Sequence, residues 1–441
     1  MSHEDKEKGD RRRDPPPLYA ALALAPLAFL GLMFLCFSPD FPYLDQWEFV
    51  RLLEKAYEGK LAFVDFWAQH NEHRLVFPRA ILLALAGLTH WEIRCELALN
   101  FLLGIGLFAV LMAQLRVTAR ITGRQLPPGL FVLLSLLVFS LSQWQNWFLG
   151  WQMQEFLNLL SVIGALSLLT LPEGGGWHFG AALVLAVVAT YSFANGMLVW
   201  LIGMPLIALT RGQAGWRWLV CWILVGSAVM ASYLYGYEQP GYHPSVWAVF
   251  RHPVAYPLYV LEYLGQPLVN YSGAGAAVAG VAGLLLWFGL LVKARRPLGV
   301  AAAPYVGLGL YAIGSALLTG VARVDLGPEQ AMSSRYVTMA NPLWAANLVL
   351  AALLLAQRGG ERPARLAQAG VLLFTALLVG ASCFGAYRWT ERYHAYVPVR
   401  AELLKDAPDR ALLERIYPDP EVLLERREIL RHYGLSIFRQ K

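Results

Sequence analysis

The sequence predicts an all-α polytopic membrane protein, with about eleven transmembrane helices and interfacial helices in a long first outer loop. Three observations carry this. Of 441 residues, 57% are hydrophobic and 15% charged, against the ~25% charged residues of ordinary soluble domains. Apolar runs approaching the ~20 residues that a spanning helix needs recur from Leu18 to Tyr387. Between these runs, short basic loops alternate with longer ones rich in acids, amides and tryptophan.

The net charge of +6 makes no case for nucleic acid, because the basic residues sit in short loops between apolar runs and form no stripe on a soluble domain. Cys36, Cys95, Cys221 and Cys383 lie in or beside apolar runs without a C-x-x-C pair, so buried free thiols are expected. The opening "MSHEDKEKGDRRRDPPP" precedes an apolar run from Leu18 to Phe37. A secretory signal would have ~7 to 15 apolar residues and a small-residue cleavage site. This run is longer, and it is expected to stay as the first span.

Orientation follows from charge. Lys6, Lys8, Arg11, Arg12 and Arg13 lie in residues 1 to 17, which makes that segment a basic cytoplasmic tail. Residues 38 to 94 are then the first outer loop. There "DQWEFVRLLEKAYEGK" sets Phe49, Val50, Leu53 and Tyr57 on one helical face and Glu48, Arg51, Lys55 and Glu58 on the other, the pattern of a helix lying flat on the membrane. Further on, "FPRAILLALAGLTHWEIR" has only residues 80 to 89 free of charge and His. That length favours a re-entrant or interfacial helix. If it crossed, Arg116, Arg120, Arg124, Arg211, Arg217, Lys293, Arg295 and Arg296 would all face outward, against the charge rule.

The spans read as roughly 18–37, 95–115, 128–143, 153–172, 178–193, 196–210, 218–235, 272–292, 299–320, 337–356 and 367–387. Outside lie "SQWQNWFLGWQ" (142–152), the 236–271 loop, "ARVDLGPEQAMSSRY" (322–336) and a C-terminal tail from 388 to 441. In the tail, Asp419 can cap a helix that Pro420 starts and Gly434 ends, with Val422, Leu423, Ile429, Leu430 and Tyr433 on one face.

Polar chemistry collects on the outer side. Asp45 precedes the interfacial helix beside Trp47, at headgroup level. It reads either as a catalytic acid or as a carboxylate stabilised at a helix start. "HNEHR" (70–74) offers Glu72 as a second acid, with His70, His73 and Arg74 as polar partners. Its histidines are three apart, where a zinc helix needs H-E-x-x-H, so a hydrogen-bonded loop anchor is the stronger reading. In "QWQNWFLGWQMQE" (143–155), Trp144, Trp147 and Trp151 alternate with amides such as Asn146. Tryptophans gather at membrane boundaries without function, yet flat faces beside amides also suit a sugar ring and its hydroxyls. "SSRY" puts Arg335 and Tyr336 at the outer mouth of one span, with Arg323 at the end of the span before it. Snorkelling explains a single arginine; two facing each other on the side that should be poor in positive charge point to an anion such as phosphate.

Together the long first loop with its membrane-adjacent acid, the two interfacial helices, "LDQW", "HNEHR..FPR", "QWQNW..GWQ" and "SSRY" resemble the GT-C superfamily of membrane glycosyltransferases. The resemblance covers most of the chain and implies a transmembrane GT-C-like domain over 18–387. It implies an inverting transfer of a sugar from a polyprenyl-phosphate carrier to a glycan, lipid or protein acceptor, on the outer face of a bacterial plasma (inner) membrane. Asp45 would be the general base and Glu72 a second acid; Arg335, Arg323 and Tyr336 would hold the donor phosphate. Trp47, His70, His73, Arg74, Trp144, Asn146 and Trp151 would contact substrate. Many members carry two adjacent acids where this chain has Asp-Gln. No cofactor is required by this reading, which leaves room for a divalent metal.

Two other classes compete. A transporter or lipid flippase would place charged groups near the bilayer midplane in a repeated architecture, and neither is apparent. A polysaccharide polymerase would be expected to carry its largest outer loop late in the chain, whereas here it is the first.

Overall fold

Apolar helices dominate the chain from its first described residue. The structure, a computed structural model, describes residues 17–239, 247–356 and 361–439; the basic tail read over 1–17 lies almost wholly outside them. The main helices are α1 (Pro17–Phe37), α2 (Gln46–Tyr57), α3 (Val76–Thr89), α4 (Ile93–Thr122), α5 (Pro128–Val138), α6 (Met153–Leu169), α7 (Gly176–Thr190) and α8 (Leu198–Arg211). They continue with α9 (Trp216–Leu234), α10 (Ala255–Gly265), α11 (Gly273–Ala294), α12 (Ala303–Arg323), α13 (Val337–Leu355), α14 (Glu361–Leu403) and α15 (Pro420–Tyr433). Among the described residues the strands are β1 (Gln69–His70) and β2 (His73–Arg74), paired antiparallel.

Among the described residues, 10 helices are long and apolar enough to cross a membrane, against the eleven expected. The difference is α7: short helical turns extend α5 and α8 to continuous stretches over Pro128–Phe148 and Ala194–Arg211, and α7 has no such extension. Its 15 residues reach roughly 22 Å at 1.5 Å per residue, short of the ~30 Å hydrocarbon layer. The sides of the bundle expose apolar residues in quantity, including Leu35 at 81% and Leu372 at 71%. A surface of that kind requires lipid around it. At the centre stands α13, where Val337, Ala340, Leu343 and Leu350 are sealed from solvent.

One end of the bundle collects the five segments expected outside. Tyr43 Oη donates to the Phe148 carbonyl at 2.6 Å, Asn146 Nδ2 to that of Arg335 at 2.7 Å, and Gln69 Nε2 to that of Glu238 at 2.5 Å. In the tail, the Ser436 N–H reaches the His90 carbonyl at 3.0 Å. The basic loops meet at the other end, where Arg124 reaches the Pro297 carbonyl at 3.1 Å and Arg211 that of Gly174 at 2.5 Å.

Four sequence expectations change. The apolar face of α2 packs on protein: Phe49 lies 6.0 Å from Trp91 and 6.1 Å from Trp151, ring centre to ring centre, so lipid is not what covers it. The 236–271 loop contains α10, too short to read as a span. It packs so closely on α11 that a Cβ on Gly265 would stand 1.8 Å from the Ala276 carbonyl oxygen. The boundary placed at 388 falls inside α14, which continues unbroken to Leu403. The four cysteines are free, but Cys36, Cys221 and Cys383 are exposed on the lipid-facing sides and Cys95 is half-buried.

After α14 the chain turns back. Asp419 caps α15 by accepting from the N–H groups of Glu421 and Val422, and Gly434 ends it in the left-handed conformation. This tail covers the polar face of α2. Arg426 forks onto Glu48 at 2.8 and 2.9 Å, Tyr417 also donates to Glu48, Arg51 pairs with Glu425, and Tyr57 packs on Tyr433. The Leu44 N–H donates to the Ile416 carbonyl at 2.7 Å.

Candidate active site

A cavity of about 350 Å³ opens at the first-loop end, lined by Asp45, His70, Glu72, His73, Trp151, Glu155, Arg323, Arg335 and Tyr336 among others. Its walls come from seven separate stretches of sequence: the start of α2, the β-hairpin, the loop into α6, the turn before α8, the end of α9 with the residues that follow it, the end of α12 and the short turn before α13.

Asp45 occupies the N-cap position of α2, but its side chain makes no capping bond. Among the described residues its carboxylate has no hydrogen-bond partner at all, and it is half-buried at the cavity wall. The preceding Leu44 has a positive φ of 52°, costly for a branched side chain. Gln46 turns the opposite way. It is 1% exposed; its amide donates to Glu96 at 2.6 Å and its carbonyl oxygen accepts from the Tyr43 N–H. Glu96 also accepts from Trp91 Nε1 at 2.7 Å. The Asp-Gln pair thus presents one acid to the cavity and one amide to the core.

Arg335 faces that acid. Its Nη2 donates to Tyr336 Oη at 3.2 Å and its guanidinium carbon lies 5.1 Å from the Tyr336 ring centre. Its Nε is buried without a partner, which leaves a donor available to a ligand. The backbone of Arg335 is fixed by Asn146, whose Nδ2 also reaches Glu155 at 3.0 Å and Thr338 Oγ1 at 2.6 Å.

The hairpin supplies two neutral imidazoles. Burial pushes His73 down to about 4; its Nδ1 accepts from the Ala194 N–H at 3.1 Å and its ring stacks on Phe193 at 4.1 Å. Burial also lowers His70, although the nearby Asp45 charge works the other way. His70 sits edge-on to Trp151 at 5.0 Å, with its Nε2 buried and unpartnered. Glu72 pairs with Arg323 at 2.7 Å and lies 3.5 Å from His73 Nε2. Because each offsets the other's charge, Glu72 is a weaker base candidate than Asp45 and Arg323 a weaker anion site than Arg335.

Four residues read as substrate contacts lie elsewhere. The Arg74 guanidinium is taken up by the carbonyls of Tyr233, Trp67 and Tyr235 at 2.6, 2.8 and 2.6 Å, which fasten the hairpin to the end of α9. Trp47 is fully buried in the core. Asn146 is likewise buried and acts behind the wall. Trp144 stacks near Trp389, 5.7 Å between centres, and lines a different cavity.

Sequence reading passed over Glu155. This acid is 1% exposed, within electrostatic reach of Arg335 and on the cavity wall. Its signal was present: an ionisable residue three positions into an apolar run marks a functional or structural polar site by default. Gln152, Asn195 and Tyr233, also lining the cavity, carried no such mark. Among the described residues, no three His, Cys, Asp or Glu side chains group as a metal site.

No family model and no curated protein matches the chain. In solved structures it is similar to ArnT from Cupriavidus metallidurans in the apo state, with 13% identity over 95% of this chain and 77% of that one and a TM-score of 0.44. Against the same protein bound to undecaprenyl phosphate, the identity is 14% over 96% and 77%, with a TM-score of 0.43.

Proposed function

We propose that this protein is a membrane glycosyltransferase that moves a sugar from a polyprenyl-phosphate carrier to an acceptor hydroxyl, with inversion, on the outer face of the membrane. The observation that carries the reading is the pairing of an unengaged carboxylate, Asp45, with a buried arginine donor, Arg335, across one cavity at the end of an apolar bundle. A carrier tail can stay in the bilayer while its sugar reaches that cavity.

The chemistry asks for little else. The acceptor oxygen attacks the anomeric carbon as Asp45 takes its proton; the bond from that carbon to the phosphate oxygen breaks, and the electron pair leaves with the phosphate. A lipid phosphate departs without needing a proton. Arg335 meets its growing charge through Nε and Nη, with Tyr336 Oη steering the guanidinium. Neutral His70 and His73 and the Trp151 ring provide a polar and aromatic floor for the sugar. Asn146 and Gln46 act indirectly, one setting Arg335 and Glu155, the other turning Asp45 outward.

Mass spectrometry of lipid bound to the purified protein tests the class. A co-purifying polyprenyl phosphate or its sugar ester is expected from wild type and not from Arg335→Gln. Failure of added polyprenyl phosphate to bind the wild-type protein would remove the reading.

A further inference from the structure

A second and larger cavity, about 610 Å³, opens at the same end of the bundle. Its lining includes Arg388 and Arg392 from α14, Arg415 from the tail, and the rings of Trp144, Tyr271 and Tyr396. No Asp or Glu is among the described residues that line it. The three arginines are exposed and lightly engaged. Arg388 has a 3.5 Å contact to the half-exposed Glu391, Arg392 a 3.4 Å bond to Tyr396 Oη, and the Arg415 guanidinium has no hydrogen bond among the described residues. Three cations on a cavity whose lining carries no acid, only one of them paired, and that one loosely with Glu391, attract an anion.

Height within the bundle narrows the choice of anion. From Gln368, where the apolar part of α14 begins, Arg388 is about 30 Å along the helix at 1.5 Å per residue, the thickness of the hydrocarbon layer. Arg388 therefore stands at its edge and Arg392 one turn beyond, at headgroup level. The exposed ring of Tyr271 and the half-buried ring of Trp144 beside them offer the flat faces on which a sugar packs.

The two cavities share a thin partition. Leu44 lines the second and Asp45 the first; Ser334 lines the second and Arg335 the first. On the second cavity's side of that partition Ser334 Oγ donates to Gln145 Oε1 at 3.5 Å. The base thus stands one residue from the second cavity.

We propose that this second cavity is the acceptor site, and that it selects an acceptor bearing a phosphate or carboxylate near the hydroxyl that is glycosylated. Arg388, Arg392 and Arg415 hold the anionic group, and Trp144 and Tyr271 hold the ring. The assignment as acceptor rests on the glycosyltransferase reading; the anion site does not.

Binding to the full chain in neutral phosphatidylcholine nanodiscs tests it. The probes are an alkyl glucoside 6-phosphate, the matching neutral alkyl glucoside, glucose 6-phosphate and phosphatidylglycerol. The phosphorylated alkyl glucoside is expected to bind at least about 10-fold tighter than the neutral one, and Arg388→Gln, Arg392→Gln and Arg415→Gln each to weaken it by about 10-fold. Polyprenyl phosphate binding should stay at wild-type strength in all three, which also reports that they fold. Glucose 6-phosphate binding as tightly as its alkyl form supports a water-soluble or glycan-borne acceptor phosphate; binding of the alkyl form alone supports a lipid acceptor. Wild-type affinity in the triple variant would overturn the proposal, as would phosphatidylglycerol competing equally well, since the arginines would then serve only bulk lipid. Phosphoglucoside binding that needs the three arginines, in a protein that binds no polyprenyl phosphate, would remove the transferase reading and leave the anion site standing.

Discussion

Gln46 and Glu96 are joined by a 2.6 Å hydrogen bond, and that bond turns the neighbouring Asp45 outward. The first position of the Asp-Gln pair can therefore do chemistry while the second ties α2 to α4.

Asp45→Asn is expected to lower single-turnover sugar transfer by about 100 to 10,000-fold, the usual loss when a general base is removed, with donor binding retained. Asp45→Ala should be equally inactive. Because Asp45 makes no capping bond, neither change should move the melting temperature much. Near-wild-type transfer by the Asn variant would pass the role of base to Glu155 or Glu72.

Gln46→Glu should behave in the opposite way. It sets a second carboxylate against buried Glu96 and leaves a buried polar contact unmade, a loss of about 1 to 3 kcal/mol. Thermal unfolding in detergent should show it as a clear fall in melting temperature. An unchanged melting curve would mean that Gln46 does not fasten α2.

Arg335→Lys keeps the charge and loses both the planar fork and the buried Nε. Transfer should fall on the order of 100-fold, as when a preorganised donor is removed, with expression and melting temperature close to wild type. Full turnover would return Arg335 to a snorkelling role.

The brace on α2 should weaken in acid. Burial raises the Glu48 carboxyl, but its hydrogen bonds from Arg426 and Tyr417 outweigh this and hold it below the ordinary carboxylate range. A folded-state value below the unfolded one contributes stability that is present above about 4.3 and is lost as pH falls through the folded value. Melting temperature between pH 6 and pH 3 should therefore drop more steeply for wild type than for Glu48→Gln. Parallel slopes would show that the contact contributes nothing.

Single cysteines in a cysteine-free background test sidedness. One at Gln330 should react with an impermeant thiol reagent added outside intact cells, and one at Gly123 should not. Reaction at Gly123 would mean that α3 crosses the membrane.

Asp45, Glu72, Arg323 and Arg335 were legible because charge at the end of an apolar run is costly enough to stand out against its surroundings. What sequence could not show was direction. Trp144 and Trp151 belong to one motif, yet they line different cavities, because the backbone there passes through short helical turns at Leu141–Gln143, Trp144–Phe148 and Gly150–Gln152 and follows no single period. Arg74 looked like a ligand contact since its partners are main-chain carbonyls, which have no letter in a sequence. Helix α10 escaped for a related reason: eleven residues containing Glu262 match neither a span nor a clear surface helix, and only the close contact of Gly265 with α11 explains its place.

The bond between Leu44 and Ile416 also sets an order of events in biosynthesis. Ile416 follows Leu44 by about 370 residues, so at roughly 5 to 20 residues per second the ribosome completes one about 20 to 75 s before the other. Through that interval the Leu44 N–H lacks the carbonyl to which it donates in the finished fold. A chain cut after α14 would keep its apolar helices yet lose both the carbonyl that receives the Leu44 N–H and the Arg426 and Tyr417 contacts to Glu48.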